Sequence, residues 1–259
     1  MRAGISTGCL YPLTTERALE TLLDNGFDTF EIFFNTFSEM ETDYLLRLKQ
    51  LIISYGASVS SIHPFLSSFE SYLLFSGYER RFEDGLNMYE MFYRCASIMG
   101  ADKVVLHGMR DAYSSIGEKE YFRRFSLLHE RGRCYGVSLL QENVDKYYSN
   151  RPNVLMEMKK TIPVTSGFVL DVKQALRGGH DPVEMAGIMG DKLRHIHISD
   201  CTAGGGCVLP GQGCFDFEGL FSALRKTGFD GDIIIEVYSG CFEDASDLVK
   251  ARRFIEQFI

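Results

Sequence analysis

Short apolar runs rich in Val, Ile, Leu and Phe alternate along the whole chain with longer stretches whose apolar residues recur every three or four positions. Runs of the first kind suit strands covered on both faces, and stretches of the second kind suit helices with one buried stripe. Strands are predicted over 2–6, 29–33, 57–62, 103–106, 137–141, 167–170 and 232–235, with a further one opening at Leu193. Helices are predicted between them. The first follows a threonine cap at Thr14 or Thr15, carries Ala18, Leu19, Leu22 and Leu23 on one face, and stops at Asn25 and Gly26. The others span 42–55, 79–99, 118–133, 153–160, 182–189, 217–226 and 245–258. Pro64 ends the third strand, and Gly100 ends the long helix after it. Eight strands in strict alternation with eight helices over 259 residues predict one α/β domain covering 1–259, a closed (β/α)8 barrel. An open doubly wound sheet accommodates part of this count, but polar residues recur at the carboxyl end of nearly every strand, where a barrel keeps its chemistry. The longest loops, near 64–77 and 200–215, fall on that rim.

The charge balance narrows the partners. With 27 Lys and Arg against 35 Asp and Glu, the net charge of −8 disfavours the electrostatic attraction on which non-specific nucleic-acid binding relies. No apolar stretch approaches membrane-spanning length, and residues 1–30 show no charged leader followed by an apolar run, so a cytoplasmic protein without membrane association is expected. Seven cysteines, an odd number without a CxxC pair, suggest reduced thiols rather than a disulfide framework or zinc ribbon.

The chemistry concentrates where apolar runs end. In the stretch beginning at Leu193, strand alternation sends His195 and His197 to one face and Ile196 and Ile198 to the other, and a loop rich in glycine follows Asp200. Elsewhere His63, His107, Glu142, Asp171 and Glu236 each close an apolar run. A carboxylate directly after Ile233, Ile234 and Ile235 is costly to bury unless it is paired or binds a cation. Glu142, Asp171, His197 and Glu236, from strands five to eight, would converge at one point of the rim and offer three oxygens and one nitrogen. That set suits one divalent metal ion, Mn2+ first, with Mg2+, Co2+ or Zn2+ also compatible. Rim carboxylates that merely cap helices or pair with arginine are the competing reading, which does not account for polar ends on four successive strands. His195 is expected one layer deeper as a hydrogen-bonded histidine. His63 and His107 are placed near substrate, with a second metal or simple rim hydrogen bonds as alternatives. Glu31, inside strand two, either orients a rim neighbour or sits in a buried ion pair. Lys173 is read as a point charge for a substrate phosphate or as a solvated lysine, and Phe65, Phe69 and Phe75 as a roof over the pocket or a subunit contact in a homo-oligomer.

Taken in order and spacing, His63-Pro64, the run VVLHG ending at Gly108, QEN at 141–143, Leu170-Asp171, HIHISD at 195–200, PGQG at 210–213 and IIIE at 233–236 resemble the xylose isomerase-like TIM barrel superfamily. This superfamily contains sugar phosphate isomerases and epimerases, ketose 3-epimerases and endonuclease IV, and the resemblance spans essentially the whole chain. It implies that Glu142, Asp171, His197 and Glu236 hold one metal, and that Glu142 and Glu236 exchange protons with a small carbohydrate substrate from opposite sides. The sequence departs from the pattern at three places. Gln174 stands where relatives carry a histidine three residues after the strand-six aspartate; it can hydrogen-bond a sugar hydroxyl but is a poor metal ligand. The arginine that ketose epimerases carry beyond the strand-seven histidine is missing, and Tyr148 replaces their second glutamate. The first loss and the absence of an Asp-x-His pair after strand seven speak against DNA repair of the endonuclease IV type. A metal-dependent sugar or sugar-phosphate isomerase or epimerase is therefore expected, with a dehydratase or a non-catalytic sugar-binding barrel as alternatives.

Overall fold

Side-chain alternation along each strand sorts the buried residues into two sets. The computed structural model describes residues 1–112 and 115–259. Its barrel strands are β1 (Arg2–Ser6), β2 (Thr29–Phe33), β3 (Ser58–His63), β4 (Lys103–Leu106), β5 (Ser138–Glu142), β6 (Gly167–Asp171), β7 (Leu193–Ile198) and β8 (Asp232–Ile235). All pair in parallel, and β1 pairs with both β2 and β8, so the sheet closes on itself. The chain is a single (β/α)8 TIM barrel. Ile196, Ile198, Ile233 and Ile235 point outward into the large core between barrel and helices, whereas Val105, Leu140 and Val169 form a separate apolar plug inside. Gly4 helps that interior close: a Cβ there would stand 2.6 Å from the Thr29 carbonyl and 2.7 Å from the Ile234 side chain.

Around the strands run α1 (Thr15–Asp24), α2 (Thr42–Ser54), α3 (Ser67–Leu74), α4 (Glu79–Met99), α5 (Glu118–Arg133), α6 (Pro152–Thr161), α7 (Val172–Arg177), α8 (Pro182–Met189), α9 (Phe217–Thr227) and α10 (Ala245–Glu256). Two of these correct the expected count of eight. The stretch 64–77 is not an open loop: α3 lies within it because Leu66, Leu73, Leu74 and Phe75 all find buried positions. The six-residue α7 is too short to register as periodicity and depends on Asp171, whose Oδ1 accepts the Gln174 N–H at 2.8 Å as its N-cap. The stretch 200–215 also has structure, with Asp200–Cys201 and Cys207–Val208 paired as an antiparallel hairpin. Among the described residues no helix is long and apolar enough to cross a membrane.

The two ends of the barrel differ in purpose. At the amino end Arg2 makes a two-pronged contact with Asp232, both at 2.9 Å, and Ser60 donates to the same carboxylate at 2.6 Å. The carboxyl end is held by side chains that face away from the barrel axis. Gln141 donates to the Leu106 and His107 carbonyls at 3.1 and 2.8 Å and accepts from the Tyr121 hydroxyl at 2.6 Å. Gly108 permits this packing, since its φ is +92° and a Cβ would fall 2.5 Å from the Tyr121 hydroxyl and 2.7 Å from the Gln141 amide. Substituting Gly108→Ala should therefore lower unfolding stability by about 2–4 kcal/mol. Urea denaturation checks this; a midpoint matching the unsubstituted protein would show that the end of β4 relaxes freely.

Candidate metal centre

Four successive strands deliver the expected ligand set. Glu142 closes β5, Asp171 closes β6, His197 lies near the end of β7, and Glu236 follows β8. One donor atom from each of these four lies within 4.8 Å of the others. Mn2+ and Mg2+, with bonds of about 2.1 Å, hold ligand atoms between about 3.0 Å and about 4.2 Å apart, so little movement is needed to enclose one. Two further observations fit such an ion. Glu142 Oε2 and Asp171 Oδ2 are buried without any hydrogen-bond partner. His197 also turns Nδ1 toward the acids, at 3.0 Å from Glu142, 3.6 Å from Glu236 and 3.9 Å from Asp171.

The opposite nitrogen of His197 explains Glu31. Its Oε2 lies 3.1 Å from His197 Nε2, 3.3 Å from His195 Nε2, and accepts from Ser61 at 2.8 Å. Glu31 thus fixes the ring so that Nδ1 faces the centre, the arrangement by which an outer carboxylate orients an imidazole ligand. Both readings of Glu31 hold, since it orients a rim neighbour through a buried ionic contact. His195 is completely buried and lies one layer deeper, as expected.

Charge at the centre follows from these contacts. Burial disfavours the ionised form of Glu142, but hydrogen bonding and attraction from His197, with His107 and His63 beyond, hold its carboxyl below the usual range. Burial likewise opposes ionisation of Glu236, and Lys173, His197 and His63 reverse it. Asp171 goes the other way: burial together with the charges of Glu236 and Glu142 outweighs Lys173 and pushes its carboxyl well up. Burial alone would keep His197 neutral, yet Glu31, Glu236 and Glu142 raise it well above the ordinary histidine value. The cluster therefore draws positive charge to one point.

His63, His107 and Glu142 form a second trio, with His107 Nε2 at 3.5 Å and His63 Nε2 at 3.9 Å from Glu142 Oε2. Both histidines therefore lie beside one of the four clustered residues. Burial, opposed by Glu142, brings the His107 imidazole down to about 4, so it stands neutral beside the carboxylate. Gln174 is not among the clustered residues; its side-chain oxygen accepts the Asp145 N–H at 3.2 Å, which ties it to the β5 loop. The reading of Lys173 as a solvated lysine is corrected. Its ammonium is buried, 2.7 Å from Glu236 Oε2 and 3.4 Å from Asp171 Oδ2. Of the three phenylalanines, only Phe65 borders the cavity beside Glu236, a space of about 420 Å³ lined also by Tyr11, Phe33, Asn35, Lys173 and Tyr238. Phe75 is core, edge-on to Tyr121, and Phe69 is half exposed beside Tyr72.

Sequence reasoning missed several supports. Asn143 clamps two ligand strands together, donating to the Asp171 carbonyl at 3.0 Å and accepting the Asp171 N–H at 2.8 Å. The signal was available: alternation puts Gln141 and Asn143 on the outward face, where a buried polar residue among apolar neighbours needs a partner. Asp200 holds the long rim loop by accepting the N–H groups of Cys201, Gly211, Gly213 and Phe215, at 2.7 to 3.1 Å.

A family model described as xylose isomerase-like TIM barrel matches residues 19–258. The chain belongs to that family. Among solved structures, a D-tagatose 3-epimerase-like protein superposes with a TM-score of 0.83 at 20% identity, covering 100% of this chain and 97% of that one. A 3-keto-D-glucoside 4-epimerase from E. coli superposes at 0.79 and 18% identity over 99% of both. Identities this low establish the fold. In sequence, the inosose dehydratase of Geobacillus kaustophilus is 29% identical over 97 residues, 30% of this chain and 32% of that one. The 3-dehydroshikimate dehydratase of Pseudomonas putida is 23% identical over 281 residues, 99% of this chain but 42% of that one. The matches thus span less than half the length of these two curated relatives.

Glu70 on α3 braces the rim from outside. Its carboxyl accepts the Gly108 N–H at 2.6 Å and the Tyr89 hydroxyl at 2.5 Å. Burial pushes it up to about 8 against those hydrogen bonds, from an ordinary value of 4.5. The folded state therefore holds this proton more tightly than the unfolded chain. That contribution is complete below the unfolded value and is lost as pH rises through the folded one. Thermal unfolding of the wild type should fall by several degrees relative to Glu70→Gln between about pH 5 and about pH 8.5. A constant difference across that window would mean the side chain keeps one charge state.

Proposed function

We propose that this protein is a divalent-metal-dependent isomerase or epimerase of a small sugar or sugar phosphate, using Glu142 and Glu236 for proton transfer. The observation that carries the reading is the meeting of Glu142, Asp171, His197 and Glu236 at one buried point, where two carboxylate oxygens accept no hydrogen bond. These four residues would hold the ion, with Mn2+ the best match to three oxygens and one nitrogen and Mg2+, Co2+ or Zn2+ as alternatives. When bound, the ion supplies electrophilic stabilisation of negative charge developing on substrate oxygens.

This chain's own residues supply the rest. Glu142 and Glu236 come from β5 and β8, on different sides of the mouth, so one can take a proton from a carbon beside a carbonyl while the other returns it. Return to the same carbon from the other face epimerises it; return to the neighbouring carbon isomerises the sugar. On this reading His107, held neutral, and His63 would hydrogen-bond substrate hydroxyls beside Glu142, and Gln174, whose side-chain oxygen already accepts the Asp145 N–H, would contribute only its amide nitrogen as a donor. The cavity bordered by Phe33, Phe65 and Tyr238 adjoins Glu236 and gives the apolar face of a carbohydrate ring somewhere to rest.

A dehydratase is the second reading. The names of the inosose and 3-dehydroshikimate dehydratases among the relatives favour it, and the same acid and base would expel a hydroxyl from the carbon next to the deprotonated one. Incubation of the Mn2+-loaded protein in deuterated water with aldoses, ketoses, their phosphates and cyclic polyol ketones tests both readings. The expected result is solvent deuterium incorporated next to a carbonyl, with Glu142→Gln and Glu236→Gln each lowering kcat about 100-fold or more. A product lighter by one water selects the dehydratase. Absence of any exchange across the panel would sink both.

A further inference from the structure

The mouth of this barrel contains a cation of its own. Lys173 sits in the first turn of α7, where the helix end disfavours positive charge, yet its side chain is almost wholly buried. What holds it there is a pair of carboxylates: Nζ donates to Glu236 Oε2 at 2.7 Å and lies 3.4 Å from Asp171 Oδ2. It also stands 5.1 Å from the centre of the Tyr238 ring. Both acids belong to the four residues whose donor atoms converge.

We propose that Lys173 is a built-in counter-cation that competes with the divalent ion for Asp171 and Glu236 and thereby makes the centre a weak, readily exchanged metal site. The inference rests on the metal-centre reading above. Three acids crowded together repel one another strongly, and one ammonium removes a full unit of that repulsion before any ion arrives. An entering ion needs the same oxygen lone pairs. Two cations cannot share them at close range in a largely buried site without a large repulsive cost, so entry of the metal requires the ammonium to withdraw. The withdrawal has room, because Lys173 already borders the cavity of about 420 Å³ beside Phe33, Phe65 and Tyr238. Without metal the protein remains charge-compensated; with metal the lysine is displaced toward the space that faces Glu236.

The test compares wild type, Lys173→Met and Lys173→Arg after removal of metal by chelation. Free Mn2+, counted by its electron paramagnetic resonance signal during titration, gives the affinity. Lys173→Met should bind Mn2+ about tenfold or more tightly than wild type, and Lys173→Arg, which keeps the charge, should not. Thermal unfolding gives a second readout: metal-free Lys173→Met should melt below metal-free wild type and be rescued by Mn2+, whereas wild type should respond little. A third needs no substitution. In wild type labelled with 15N at lysine Nζ, saturating Mg2+ should shift or abolish the Lys173 ammonium signal. Equal or weaker Mn2+ binding by Lys173→Met, or an ammonium signal unchanged by Mg2+, would overturn the competition while leaving the metal centre standing. Failure of both wild type and Lys173→Met to bind millimolar Mn2+ would remove the metal centre and this inference together.

Discussion

Mutual repulsion among buried carboxylates is the constraint that organises the mouth of this barrel. Glu142, Asp171 and Glu236 are delivered to one point, and Glu31 lies a layer below. Such a group is tolerable only when positive charge or hydrogen-bond donors surround it. The surroundings provide both: two imidazoles share Glu31, His197 spans the layers, and Lys173 bridges Asp171 and Glu236. These three cationic or hydrogen-bonding partners, His195, His197 and Lys173, answer the excess of negative charge. The apolar plug of Val105, Leu140 and Val169 keeps it apart from the Arg2–Asp232 contact at the other end.

Rigid placement of the acids comes from outside the barrel lumen. In the sequence QEN the middle residue faces the centre while its neighbours face the helices, and each neighbour fastens a different strand. Gln141 secures the end of β4 and Asn143 secures β6. The positions of the acids are therefore set by hydrogen bonds from these side chains to backbone groups. A cluster preorganised in this way keeps its donor atoms together at little further cost in conformational entropy.

Much of this was legible in the residues themselves. Alternation in LRHIHIS placed His195 and His197 on one side, and the cost of ending IIIE in a charge pointed to Glu236. The barrel followed from the order of apolar runs, and strand ends were displaced by one residue at β3, β5 and β6, where a polar terminal residue still belongs to the ladder. What remained hidden depended on contacts far apart in sequence. Lys173 could be recognised as a partner of Glu236 only once β6 and β8 were both next to β7. Glu31 reaches His197 across 166 positions of chain. The short helices α3 and α7 are stabilised by burial and by one cap, which leave no periodic trace over so few residues.

Asp200 has a consequence for how such a barrel can diversify. One carboxylate gathers backbone N–H groups from both ends of the excursion after β7, so the base of that excursion is closed by a knot that involves no side chain of the loop itself. Beyond the knot Leu209 is still anchored in the core, and only the exposed tip at 202–206 is unconstrained in length and composition. That tip is an interchangeable cassette on a fixed socket, where composition can drift while His197 and its neighbours stay as they are.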